Sequence, residues 1–139
     1  MVNNKKTGSQ ALVATLANCG VTHCFANPGT SEMHLIQALD KEPRIHSVLC
    51  LFEGVASAAA DGFARISGVP AITLLHLGPG YGNALANIHN ARRAYSPMIN
   101  IVGDHATYHR NLDAPLTSDI ETIVKANSSW IGVAETALE

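Results

Sequence analysis

Chemically active side chains fall beside glycine at several places in this sequence: Asn27-Pro28-Gly29-Thr30, Glu53-Gly54, and His76 ahead of Gly78-Pro79-Gly80-Tyr81-Gly82-Asn83. Glu53 is the most unusual of these residues. It follows the apolar run Val48-Leu49-Cys50-Leu51-Phe52 and opens a stretch so rich in Ala and Gly that little around it can hydrate a charge. An exposed carboxylate at a helix N-terminus gains only about 0.3–1 kcal/mol from the helix dipole. If it is buried among Phe52, Val55 and the glycines, desolvation raises a carboxyl pKa by as much as about 3–5 units, each worth about 1.4 kcal/mol. Desolvation then outweighs the dipole, and the sequence predicts a largely neutral acid able to exchange a proton with a bound nitrogen base.

His76 closes an apolar stretch just before the Gly-rich segment, where sites of parallel α/β sheets lie. A histidine simply hydrogen-bonded to backbone at a strand end is the competing explanation. The Gly-rich segment lacks the Lys of a phosphate-binding P-loop, and a dinucleotide fingerprint starting at Gly78 meets Asn83 where its third glycine should be. Asp104 ends a later strand at a distance suited to a ribose acid, so a Rossmann-type nucleotide site stays open as an alternative. His105 and His109 are spaced i, i+4 but lack the Glu of H-E-x-x-H and a third ligand, so no metal site is expected in the chain.

The elements that must position these residues alternate. Apolar spacing predicts helices over 9–18, from Thr30 or Ser31 (as cap) toward Pro43, 54–66, 83–94 and 119–126. Strands are predicted over 22–26, 47–52, 71–77, 98–102 and 130–133, with 47–52 and 71–77 uninterruptedly apolar and so covered on both faces. Residues 78–82 are expected to form a turn, and 135–139 read as the opening of a helix. This alternation predicts an α/β fold: an open, mostly parallel sheet with helices on both faces and ligands at the carboxyl ends of its strands. Gly54, Ala58 and Gly62 recur at i, i+4, i+8 and offer a smooth line for close packing, within the domain or against a partner.

Composition narrows the function further. The 139 residues are 47% apolar and 14% charged, as in one compact domain with a real core. A net charge of -2 without a Lys/Arg cluster argues against nucleic acid or an anionic membrane as partner. No stretch reaches the roughly 18 apolar residues of a membrane span, the polar start lacks a secretory core, and the chain reads as cytoplasmic. Cys19, Cys24 and Cys50 form no CxxC pair and are expected to be buried, reduced thiols.

Taken in order, Asn27-Pro28-Gly29-Thr30, Phe52-Glu53-Gly54, Ala60-Asp61-Gly62-Phe63-Ala64-Arg65, Gly78-Pro79-Gly80-Tyr81-Gly82-Asn83 and Ser96-Pro97 resemble the N-terminal pyrimidine-binding domain of thiamine diphosphate enzymes. Acetolactate synthase and benzoylformate decarboxylase are the similar members, and the resemblance spans roughly residues 10–135. It implies a six-stranded parallel sheet, of which this chain supplies five strands. It further implies that Glu53 hydrogen-bonds the cofactor's pyrimidine N1′ and so activates it. Pro28, Gly29, Gly80 and Asn83 would line the same ring.

At the substrate positions the two relatives diverge. His76 falls where benzoylformate decarboxylase has a proton-transferring histidine, and Thr30 where it has a substrate-binding serine; Gly78-Pro79-Gly80 is more similar to acetolactate synthase. The implied substrate is a 2-oxo acid, decarboxylated or joined to a second carbonyl compound. In the family Mg2+ and diphosphate are held by a Gly-Asp-Gly motif of a separate C-terminal domain, often from the neighbouring subunit. This sequence has no Gly-Asp-Gly. Residues 1–139 are therefore expected to be a pyrimidine-binding domain, truncated at its C-terminal end or made as a separate subunit, inactive by itself and completed by a diphosphate-binding domain within a homo-oligomer. A non-catalytic assembly module of the same fold is the further alternative.

Overall fold

The computed structural model describes residues 6–137. Helix α1 (Gly8–Asn18) opens on a capping box, in which the Thr7 hydroxyl accepts from the Gln10 amide and the Gln10 side chain accepts from the Thr7 amide. Strand β1 (His23–Asn27), a single 3-10 turn η1 (Thr30–Glu32) and helix α2 (Met33–Asp40) follow. Then come β2 (His46–Leu49), α3 (Glu53–Ser67), β3 (Ala71–Leu75), α4 (Leu77–Ala94) and β4 (Met98–Val102). A second 3-10 turn η2 (Arg110–Leu112) and α5 (Ile120–Lys125), capped by the Asp119 carboxylate on the Thr122 amide, complete the chain.

All strand pairs are parallel, in the order β2-β1-β3-β4. Period-2 alternation splits the core between the two faces. Cys24 and Ala26 of β1 with Ile72 and Leu74 of β3 pack against α1 and α2, burying Val13, Leu16, Leu35 and Leu39. On the other face Phe25 and Ala71 meet Ala56 and Ala60 of α3, while Leu75 meets Tyr81, Ala84 and Ile88 of α4. Both faces carry helices, as the alternation of elements requires.

Several expectations need correction. Only β3 is buried along its whole length; β2 ends at Leu49 and exposes His46, Ser47 and Leu49, because it forms a sheet edge rather than an interior strand. Residues 130–133 make no strand, so the sheet has four strands where five were expected, and Trp130 and Val133 are exposed. Glu135 to Ala137 bend and turn instead of winding into a helix, and the last two residues of that expected segment lie outside the described range. Neither Thr30 nor Ser31 caps α2; the Glu32 side chain turns back to the Gly29 amide instead. Gly54 is buried against α4, but Ala58 is exposed and the Cα of Gly62 faces open space, so within the domain these residues do not pack as one line. Cys24 and Cys50 are buried and Cys19 is exposed. Burial, and secondarily Cys50, pushes the Cys24 thiol up to about 12. Among the described residues no helix is long and apolar enough to cross a membrane.

Candidate functional site

The carboxyl ends of β1, β2 and β3 deliver the unusual residues to one edge, and backbone geometry does much of the delivery. β3 stops at Leu75, and His76 is the N-cap of α4. The next residue, Leu77, adopts φ +55 although it is not glycine, which costs roughly 1–2 kcal/mol. Its side chain is fully buried, and that anchoring holds the sharp strand-to-helix corner that aims His76 outward. Residues 78–82 are therefore the first turns of α4 rather than a free turn. Pro79 fits there because a first-turn residue needs no intrahelical N–H bond. Gly78 and Gly80 serve close approach: a Cβ at Gly78 would strike Ser118, and one at Gly80 would lie 3.0 Å from Glu53 Oε1 and 3.4 Å from the Cβ of His76.

Glu53 begins α3 and is only 8% exposed, which rejects the solvated-cap explanation. Its Oε2 accepts from Asn83 Nδ2 at 3.0 Å, while Oε1 accepts no hydrogen bond from any described residue and faces Gly80. Two further contacts hold α3 and the segment ahead of it in place. Asn87, one turn beyond Asn83, donates to the Gly54 carbonyl at 2.8 Å, and Asn27 at the end of β1 donates to the Cys50 carbonyl at 2.7 Å. A phosphate seated at Gly80 would meet the Glu53 carboxylate, which argues against an anion-binding role for these glycines.

Gly29 abuts the His76 ring so closely that a Cβ there would strike Nδ1 and Cε1. His76 Nδ1 lies 2.8 Å from Glu32 Oε2, which also accepts from the Gly29 amide at 2.7 Å. Thus Gly29, His76, Gly80, Glu53 and Asn83 form one continuous surface. Pro28 and Thr30 adjoin it through their neighbour Gly29, and Thr30 is exposed. Glu32 and Asn87 were not foreseen, and Asn27 stood in its strand-end motif without a role of its own. A side chain amide at a strand end and a second Asn four residues after Asn83 are signals that could have flagged the two asparagines.

Outside this surface, the His105 and His109 rings are 5.0 Å apart in loop segments after β4. Among the described residues no group of three or more His, Cys, Asp or Glu could hold a metal ion. A wide groove runs along the β4 edge, lined by Ile99, Ile101, Tyr108 and Trp130, and none of the five clustered residues borders it.

The donor set suits the pyrimidine end of a thiamine cofactor: a buried carboxylate with one uncommitted oxygen, beside glycines that keep the approach clear. Comparison with known proteins agrees. Residues 6–126 match the sequence profile of the thiamine pyrophosphate enzyme, N-terminal TPP binding domain family. The chain belongs to that family, as the N-terminal TPP-binding domain of enzymes similar to acetolactate synthase and benzoylformate decarboxylase. It is 61% identical over 95% of its length to IlvX of Mycobacterium tuberculosis, provisionally named an acetolactate synthase large subunit, and covers 26% of that protein. It is 33% identical over 90% of its length to benzoylformate decarboxylase of Pseudomonas aeruginosa, covering 24% of it. A crystal structure from Mycobacterium smegmatis, provisionally assigned as a thiamin diphosphate-dependent enzyme, superposes with a TM-score of 0.83 at 34% identity, over 91% of this chain and 24% of that one. The chain thus spans about a quarter of the length of these relatives.

Proposed function

We propose that this chain forms the pyrimidine-binding half of a 2-oxo acid decarboxylase or carboligase, with Glu53 as the residue that activates thiamine diphosphate. The single observation that carries this reading is the Glu53 carboxylate, nearly sealed at the start of α3 with Oε1 unpartnered beside Gly80. A carboxyl group in that setting holds or releases a proton toward a ring nitrogen laid against Gly80 and Gly29. When bound, the cofactor supplies the carbanion chemistry on the 2-oxo acid, and the protein supplies orientation and proton control. Asn83 fixes the carboxylate, Pro28 and Gly29 with Gly80 shape the ring's seat, His76 moves a proton at the substrate, and Thr30 contacts the substrate.

The surface is open on one side, and the apolar residues around Glu53 suggest what closes it. Leu49, Leu51, Phe52 and Val55 are 71%, 90%, 48% and 54% exposed, an apolar rim that a diphosphate- and Mg2+-binding domain or subunit would cover. The diphosphate and Mg2+ would be held by that second half, and the assembled enzyme is a homo-oligomer working in the cytoplasm.

Mutation of the complete assembly tests the reading. Glu53→Gln is expected to lower kcat by about 100-fold or more, the usual range for a lost acid-base group. His76→Ala should lower kcat severely while leaving cofactor affinity nearly intact. Turnover unchanged by Glu53→Gln would refute the proposal.

A further inference from the structure

A carboxylate with no solvent exposure lies behind His76. Glu32, the last residue of η1, is 0% exposed. Both of its hydrogen bonds fall on Oε2, one from the Gly29 amide at 2.7 Å and one shared with His76 Nδ1 at 2.8 Å. Its other oxygen, Oε1, has no hydrogen-bond partner and rests against Gly103, where any Cβ would collide with it. Burying an acid with one oxygen unsatisfied is costly, and an apolar side chain would fill the same space without that cost. Packing alone does not explain Glu32.

Its hydrogen-bond directions do. An ionised carboxylate only accepts, and Oε2 already accepts from a backbone amide that cannot reverse its role. With Glu32 ionised, the imidazole presents N–H at Nδ1. A neutral ring so held keeps its lone pair on Nε2. Nε2 has no partner among the described residues, and the His76 side chain retains 25% exposure. Glu32 from η1 is hydrogen-bonded to the ring, and Glu53 from α3 lies beyond Gly80.

We propose that Glu32 is a positioning residue: it fixes His76 as the Nδ1–H tautomer and thereby makes Nε2 the atom that exchanges protons at the site. The inference deepens the role of His76 given above and rests on it only for the meaning of that exchange. Glu32 itself touches neither substrate nor cofactor in this scheme.

Nitrogen-15 spectra of the imidazole rings in the 139-residue chain, recorded without cofactor at about pH 8 where histidines are mostly neutral, test it. His76 is identified by the signals missing in His76→Ala. In the wild type its Nδ1 should appear protonated and its Nε2 bare. Glu32→Ala should shift the proton largely to Nε2. Glu32→Gln should restore Nδ1–H, because the Gly29 amide holds the glutamine oxygen toward the ring. Unchanged signals from the other histidines certify the fold. A wild-type ring protonated on Nε2 overturns the proposal, as does a folded Glu32→Ala chain that keeps Nδ1–H. Should Glu32→Ala not fold, the wild-type spectrum and Glu32→Gln decide alone. No cofactor enters the readout, so failure of thiamine diphosphate binding and failure of this inference are separate results.

Discussion

Glu53 and Glu32 are both buried acids at the same edge of the sheet, yet they are enclosed differently. Glu53 opens a helix, keeps 8% of its surface, and has one oxygen beside a glycine at the site surface. Glu32 sits in a short 3-10 turn with no exposure, both hydrogen bonds on one oxygen and the other oxygen wedged against Gly103. The first can still reach a ligand. The second can act only through the ring it holds. Burial alone therefore does not separate the two acids; where the uncommitted oxygen faces does.

Paired glycine substitutions sharpen the contrast. Gly103→Ala places a methyl group against the Glu32 carboxylate, which has no free space to enter, and should destabilise the chain by about 1–3 kcal/mol in urea unfolding, as overpacking does. Gly80→Ala brings its Cβ within 3.0 Å of Glu53 Oε1, the end of a side chain with room at the site surface, and should cost less. Equal losses would erase the distinction between the two acids.

A smaller effect comes from Asp61 on the same helix as Glu53. The Arg65 guanidinium, at 2.7 Å, holds the Asp61 carboxyl below its ordinary range against the opposing effect of burial. Its folded-state pKa lies below the unfolded value near 3.9, so its stabilisation is present above that pH and is lost as pH falls through the folded value. Arg65 is about half exposed, and such an i, i+4 pair contributes only about 0.3–0.5 kcal/mol. Asp61→Asn should remove that much of the stability at neutral pH and flatten the acid limb of the urea-midpoint profile by the same amount.

Glu53 was legible in the sequence because a charge that ends an apolar run has few explanations, and His76 because it stands where a strand must give way to a helix. Glu32 was not, since Thr30-Ser31-Glu32 reads as an ordinary helix start. Its burial depends on Gly103 at the far end of β4, a contact that only the tertiary fold creates. Glycines were ambiguous for a related reason. At Gly78 and Gly80 they serve close packing inside α4, while the left-handed corner that a turn would assign to glycine falls on Leu77. Apolar composition located β2 and β3 equally well but could not distinguish an edge from the centre, because a strand's neighbours are set by topology. The same limit explains residues 130–133, whose apolar character promised a strand that nothing pairs with.

The most direct test is a crystal structure of the complete assembly with thiamine diphosphate bound. Glu53 should place a carboxylate oxygen about 2.6–3.2 Å from a nitrogen of the pyrimidine ring, with Asn83 still on the other oxygen. A ring whose nitrogens all face away from residue 53, leaving Asn83 as its sole partner, would contradict the account.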